Sequence, residues 1–178
     1  MKTPFNSILP EFISQRKAVH EVCRQFSRSP SKGNLKRVKT LLHSCGEEVF
    51  IESGLHLDYG DNVKLGNRVY ININCTILDS PQSTDAPIII GDDCLIGPNV
   101  QLLSVSHDVT PSWRLAKKHN YASGITLGKN VWLGGGVIVL AGVTIGDDCV
   151  VGAGSVVTKN IDAHSFYAGN PAKKVREL

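Results

Sequence analysis

Between residues 127 and 162 the chain counts in sixes, and that period decides what it can fold into. An aliphatic residue at Leu127 returns at Leu133, Val139, Ile145, Val151 and Val157. Glycine follows four of these, as Gly128, Gly134, Gly146 and Gly152. Four residues after each aliphatic stands a second small or branched one: Val131, Val137, Val143, Cys149, Ser155 and Ile161. A helix repeats its apolar face every 3.6 residues and an ordinary strand every second residue, so neither fits. A period of six means strands of two or three residues separated by turns, the pattern of a β-solenoid. Three such strands close a triangular coil of about 18 residues. The aliphatics point inward, and glycine stands where a corner would crowd a side chain. The expected fold class is all-β, a parallel β-helix.

Upstream the sixes are looser. From about residue 53, Tyr59, Leu65, Ile71 and Ile77 form one inward set, and Leu57, Val63, Val69 and Cys75 the other. Polar residues 79–87 shift the phase, which resumes at Ile90, Ile96 and Leu102. Residues 104–124 break it altogether and hold His107, Trp113, Arg114 and His119. A solenoid interrupted in this way carries a loop on one face, where function concentrates.

Ahead of the coil, residues 10–27 place Phe12, Val19, Val22, Cys23 and Phe26 at helical spacing behind Pro10 and Glu11. Ser29-Pro30-Ser31-Lys32-Gly33 ends that helix. Asn34 is positioned to cap a second one with Leu35, Val38, Leu41 and Leu42 on one face. The expected organisation is therefore a short N-terminal helical cap over 1–50 and a β-helix over 51–178, with 104–124 as its active-site loop. The cap would cover core and strand edges that the first coil otherwise exposes.

Composition excludes several function classes. With 42% hydrophobic and 20% charged residues, the 178-residue chain reads as one soluble domain. The apolar run 131–146 is too short and too glycine-broken for a membrane span. Met1-Lys2-Thr3-Pro4 leads into no apolar signal region. The five cysteines form no CxxC pair; Cys75, Cys94 and Cys149 fall on inward small positions and read as core. Free thiols of this kind point to a cytoplasmic protein. Residues 1–45 carry nine Lys/Arg against two Glu, but neither a groove-reading motif nor stacking aromatics accompany them. That is a solvated helical face, and no nucleic-acid partner is expected.

His107 stands at the mouth of the loop, in Ser104-Val105-Ser106-His107-Asp108. Imidazole is the side chain best suited to taking a hydroxyl proton near neutral pH. Hexads on both sides, and Asn72-Ile73-Asn74-Cys75 a few turns earlier, single it out. His56 and His119 have no comparable setting and read as structural or surface residues. Zinc held by His56, His107 and His119 would require convergence and a close spacing of two of them, which the sequence lacks. No metal site is expected. Nor does the chain hold a nucleophile elbow, P-loop or dinucleotide fingerprint. Gly134-Gly135-Gly136 reads as a corner turn.

Five segments together are more specific than hexads alone: 72–79 (Asn-Ile-Asn-Cys-Thr-Ile-Leu-Asp), Ser106-His107-Asp108, 125–136, 152–159 and Ala168-Gly169-Asn170-Pro171-Ala172-Lys173. They resemble the maltose and galactoside O-acetyltransferases among the hexapeptide-repeat acyltransferases, and residues 5–43 resemble that family's N-terminal segment. The resemblance implies a left-handed coil, a homotrimer with active sites between subunits, and direct acetyl transfer from acetyl-CoA to a sugar hydroxyl. It makes His107 the general base and puts Asn72 beside the acetyl group and acceptor. The oxyanion falls to a backbone amide at Gly135. Thr158, Lys159, Lys173 and Arg176 match coenzyme A contacts, and Gly135 and Ala153 match the pantetheine groove. Trp132 either walls that groove or packs at the subunit interface.

The acceptor positions depart from the family's pattern. Ser80 replaces the second acid after Asp79, Asn6 or Ser7 replaces an N-terminal acid, and Asp58 stands where a smaller hydroxyl residue is usual. Ser7, Asp58, Asn72, Asp79 and Ser80 are thus the expected acceptor-binding set. Two other readings stay open: acetylation of a different small acceptor (an antibiotic hydroxyl, an amino sugar or serine), and a solenoid that binds an acyl-CoA without turnover.

Overall fold

The fold was analysed in a computed structural model that describes residues 2–117 and 119–178. Three parallel sheets take every third strand in turn, so the chain winds as a three-sided β-helix. The first face stacks Ser44–Cys45, Val63–Leu65, Ile88–Ile90, Ile125–Leu127 and Thr144–Ile145. The second stacks Phe50–Ile51, Tyr70–Ile71, Leu95–Ile96, Trp132–Leu133, Val150–Val151 and Ser165–Ala168. Along its last edge Lys173–Glu177 runs back antiparallel. The third face stacks His56–Leu57, Thr76–Leu78, Gln101–Leu103, Ile138–Leu140 and Val156–Val157. The coil thus starts at Ser44, a few residues before the sixes become readable.

The hexad arithmetic is visible in the stacking. Leu133 lies over Val151, Leu127 over Ile145 and Val139 over Val157, and all six are buried. Removing each such side chain from water is worth about 1.5–3 kcal/mol. A Cβ on Gly128 would sit 2.8 Å from the Asp147 amide nitrogen of the next coil, which is why a corner glycine is required there. The third residue of each four-residue corner between the second and third faces has positive φ: Gly54, Asn74, Asn99, Gly136 and Gly154. Glycine and asparagine tolerate that conformation best. Cys75, Cys94 and Cys149 are core residues whose thiols reach carbonyls of neighbouring turns, Cys94 toward Gly128 O at 3.1 Å. Burial pushes the Cys94 thiol up to about 11, so it stays protonated.

All extra residues enter at one corner, between the third face and the first. There Leu57 is followed by Asp58–Asn62, Leu78 by Asp79–Pro87 and Leu103 by Ser104–Gly124. Tyr59 does not continue the hexad phase. Leu57 pairs with Ile77, and Tyr59 belongs to the first of these corner insertions, buried against Phe12.

Helix α1 (Pro10–Arg28) and helix α2 (Lys32–Lys39) lie over the first coil, with Val19, Cys23, Phe26 and Val38 joining the core. The α2 cap is Ser31 rather than Asn34. The Ser31 hydroxyl accepts from the Asn34 amide, while the Asn34 side chain turns back to Ser29 O. The long insertion forms the strand Val105–His107, helix α3 (Pro111–Lys117) and the strand Asn120–Ala122. The N-terminal strand Thr3–Phe5 pairs with Asn120–Ala122, making a separate antiparallel sheet of three. Among the described residues no helix is long and apolar enough to cross a membrane.

Candidate active site

The three insertions stack, and their stacking brings distant polar residues into one cleft. Val105–His107 pairs with Asn120–Ala122, which puts His107 opposite Asn120 at the open end of the small sheet. Thr3–Phe5 adds to the other edge and carries Ser7 to the same place. His107, Ser7, Asp58 and Asp79 line a cavity of about 180 Å³ with Arg16 and Tyr59. Arg16 donates to the Ser7 carbonyl at 2.8 Å and to the Tyr59 hydroxyl, so α1 ties the N-terminal segment to the coil.

The two carboxylates differ in their surroundings. Asp79 is fully buried and accepts from the amides of Asp58, Tyr59 and Gly60 at 3.1, 3.0 and 2.7 Å. Burial outweighs those donors and pushes its carboxyl up to about 7. Asp58 is half-buried. Its Oδ1 lies 3.0 Å from His20 Nε2 and 3.5 Å from His56 Nε2. Burial works to raise it, but the bonds from His56 and His20 together outweigh burial and hold it below the usual carboxylate range.

Ser80 is not in the cleft. It is fully buried, with its hydroxyl 2.7 Å from that of Thr84 and within reach of the Asn62 amide. The corner insertion 79–87 turns it inward to close its own loop, so it does not face an acceptor.

A second cavity, of about 410 Å³, lies on a different corner, between the second face and the third. Asn72, Gly97-Pro98, Gly134-Gly135 and Gly152-Ala153 are the same corner in successive coils, and Trp132 and Phe166 flank them. Small residues keep this column open: the nearest atom to a Cβ on Gly135 would be Pro98 Cγ, at 3.4 Å. The Gly134 and Gly136 amides are used by Val151 O and Pro98 O, whereas the Gly135 amide has no carbonyl partner among the described residues. Asn72 Oδ1 accepts from the Ile73 amide at 2.8 Å, which leaves its side-chain NH₂ for a ligand.

Lys159, Lys173 and Arg176 line neither cavity. Lys173 and Arg176 are exposed on Lys173–Glu177, opposite Ala168 and Phe166, so that strand borders the groove. Thr158 and Lys159 are exposed just beyond Val156–Val157. Among the described residues Lys159, Lys173 and Arg176 form no ion pair. Within one chain, then, the structure joins His107 with Ser7, Asp58 and Asp79, and joins Asn72 with Trp132, Gly135 and Ala153. The third sheet separates the two groups. His20, which sequence reasoning passed over, enters only through the docking of α1; nothing in the hexads points to it.

Comparison with known proteins bears on this arrangement. Residues 124–159 match the family model described as bacterial transferase hexapeptide (six repeats), and residues 87–106 match the hexapeptide repeat of succinyl-transferase. The galactoside O-acetyltransferase of Escherichia coli (strain K12) is 40% identical over 141 residues, 79% of this chain and 66% of that protein. The crystal structure of a maltose O-acetyltransferase from Clostridium difficile 630 superposes with a TM-score of 0.90 at 31% identity, covering 98% of this chain and 92% of that one. A galactoside acetyltransferase in complex with coenzyme A gives 0.88 at 35% identity, covering 98% and 86%.

Proposed function

Because this chain belongs to the hexapeptide-repeat family of galactoside and maltose O-acetyltransferases, and is an acetyltransferase, we propose that it moves acetyl from acetyl-CoA to a hydroxyl of a sugar or sugar-like acceptor. The acceptor binds beside His107, Asp58 and Asp79. Coenzyme A lies along the Asn72–Ala153 column, with its phosphates near Lys159, Lys173 and Arg176. His107 takes the hydroxyl proton as the acceptor oxygen attacks the thioester carbonyl. The Gly135 amide donates to the resulting oxyanion, and Asn72 holds the acetyl group in place. Collapse breaks the carbon–sulfur bond, and the proton on His107 passes to the leaving thiolate. No acyl-enzyme forms.

The observation that carries this reading is the separation of the two half-sites onto different corners of one triangular coil. A single chain cannot bring His107 to a thioester lying at Gly135. A threefold ring of left-handed coils, with the His107 corner of one protomer against the Asn72 corner of the next, completes three equal sites. The assembly is a cytoplasmic homotrimer of roughly 58 kDa, three chains of 19.3 kDa. Light scattering measures that mass directly, and a stable monomer at micromolar concentration would overturn the shared site. Mixing inactive protomers tests it further. His107→Ala and Asn72→Ala, unfolded together and refolded, should regain activity at about a quarter of the sites, those that take His107 from one variant and Asn72 from the other and so carry neither defect. No recovery would put both residues in one protomer's site.

A further inference from the structure

The cluster at Asp58 has a composition that acetyl transfer does not ask for. His56 and Asp58 flank Leu57 at the end of a strand, and alternation points both to the same side. Helix α1 packs on that edge and presents His20. The three donor atoms lie within 4.8 Å of one another. His20 Nε2 and His56 Nε2 stand 3.0 and 3.5 Å from the same Asp58 oxygen. The imidazole rings neither stack nor meet edge to face; they tilt at 42° with centroids 4.6 Å apart.

We propose that His20, His56 and Asp58 form a divalent-metal site of the zinc type. Zinc bound tetrahedrally at about 2.0–2.2 Å sets its ligands about 3.3 Å apart. The two distances to Asp58 straddle that spacing, so a small outward movement of the side chains admits the ion between them. Two imidazoles and one carboxylate suit zinc, cobalt or nickel rather than calcium or magnesium, which take oxygen ligands. With neutral histidines the cluster carries one negative charge, and a divalent cation offsets it. The side chains of His20 and Asp58 are 27% and 19% exposed and that of His56 is 45% exposed. The site is therefore half-sheltered, and the shallow pocket on its histidine side gives access for the ion and room for a fourth, solvent ligand.

The ion would sit behind Asp58, away from His107 and from the reacting atoms. Transfer therefore proceeds without it, and the ion's effect is to fix the Asp58 carboxylate against the acceptor cleft. That consequence rests on the function proposed above; metal binding itself does not.

The test uses tag-free, chelator-treated protein titrated with cobalt(II), followed by visible absorption, and then with zinc. One equivalent per chain should give a four- or five-coordinate cobalt spectrum that zinc abolishes. His20→Gln and His56→Gln should each weaken binding by about 100-fold or more, with circular dichroism confirming that both remain folded. His164→Gln serves as the control. It removes another His–Asp pair, at 3.4 Å from Asp148, that has no third ligand among the described residues, so zinc affinity should not move. Wild-type binding no tighter than that of the His20→Gln/His56→Gln double variant overturns the site. Equal weakening by His164→Gln also overturns it. Zinc loading should shift the acceptor KM and leave the acetyl-CoA KM alone. An inactive protein that binds zinc refutes only the proposed function, and an active one that does not refutes only the metal site.

Discussion

The Asp79 carboxylate holds the Gly60 amide at 2.7 Å, clasping the first corner insertion from one coil to the next. The same carboxylate takes the Asp58 and Tyr59 amides, so one buried group shapes the turn that presents Asp58. Its pKa has a consequence for stability. In the unfolded chain the group titrates near 3.8, and in the fold near 7. Between these values the native state holds the extra proton, so stability falls as pH rises. The contribution is fully present below pH 3.8 and lost by the time pH passes about 7. The slope reaches at most about 1.4 kcal/mol per pH unit. Urea unfolding between pH 4 and 7.5 should show it in the wild type. Asp79→Asn, less stable throughout because it offers the Gly60 amide a donor, should lose that component of the slope. Identical slopes would mean that Asp79 stays ionised.

His107→Ala should leave the coil intact, because His107 ends a peripheral strand and is exposed. Turnover should fall by on the order of 10²–10⁴ while acetyl-CoA binding holds. Release of free thiol measures the first and calorimetry the second. A variant that keeps most of its turnover would move the base elsewhere, with His119 the first candidate.

The coenzyme side is tested by Lys173→Ala and Arg176→Ala. Both side chains are exposed on the strand that borders the glycine groove. Removing a cation that meets phosphate weakens ground-state and transition-state binding alike, so the acetyl-CoA KM should rise more than kcat falls. Added salt should weaken wild-type binding, and the variants less so. A loss confined to kcat would place these side chains nearer the reacting carbonyl.

How much of this was legible beforehand follows from where each residue sits. The three faces, the inward cysteines and the position of the long insertion all come from a local period or its interruption. The corner insertions were harder, because Tyr59 mimics a hexad aliphatic while Leu57 supplies the true partner of Ile77. Thr3–Phe5 has no local strand signal; its pairing with Asn120–Ala122 is a contact across more than a hundred residues. Ser80 follows Asp79 directly and still faces the other way, since the loop's own hydrogen bonds to Thr84 and Asn62 decide its direction. The His20–Asp58 contact depends on how α1 docks, and no spacing along the chain encodes that.

The acceptor is the last question, and Asp58 is the residue that bears on it. Both Asp79 oxygens are taken by backbone amides, and Ser80 is sealed away. That leaves Asp58, which lines the cleft and has one oxygen engaged. Its Oδ1 faces the histidines, and its Oδ2 has no hydrogen-bond partner among the described residues. An unbonded carboxylate oxygen on a residue that lines a cleft is a strong acceptor for a substrate hydroxyl or amine. A site built around one such group discriminates against ligands that leave it unpaired. Galactosides and maltose should therefore be poor acceptors, and a differently hydroxylated or aminated compound much better. Asp58→Ser should lower kcat/KM toward that better acceptor about tenfold or more and leave acetyl-CoA binding unchanged. An acceptor screen reporting free thiol decides it. Galactosides or maltose turning over at about 10⁴ M⁻¹s⁻¹ or above, in the ordinary enzymatic range, would show that the change to Asp58 carries no specificity.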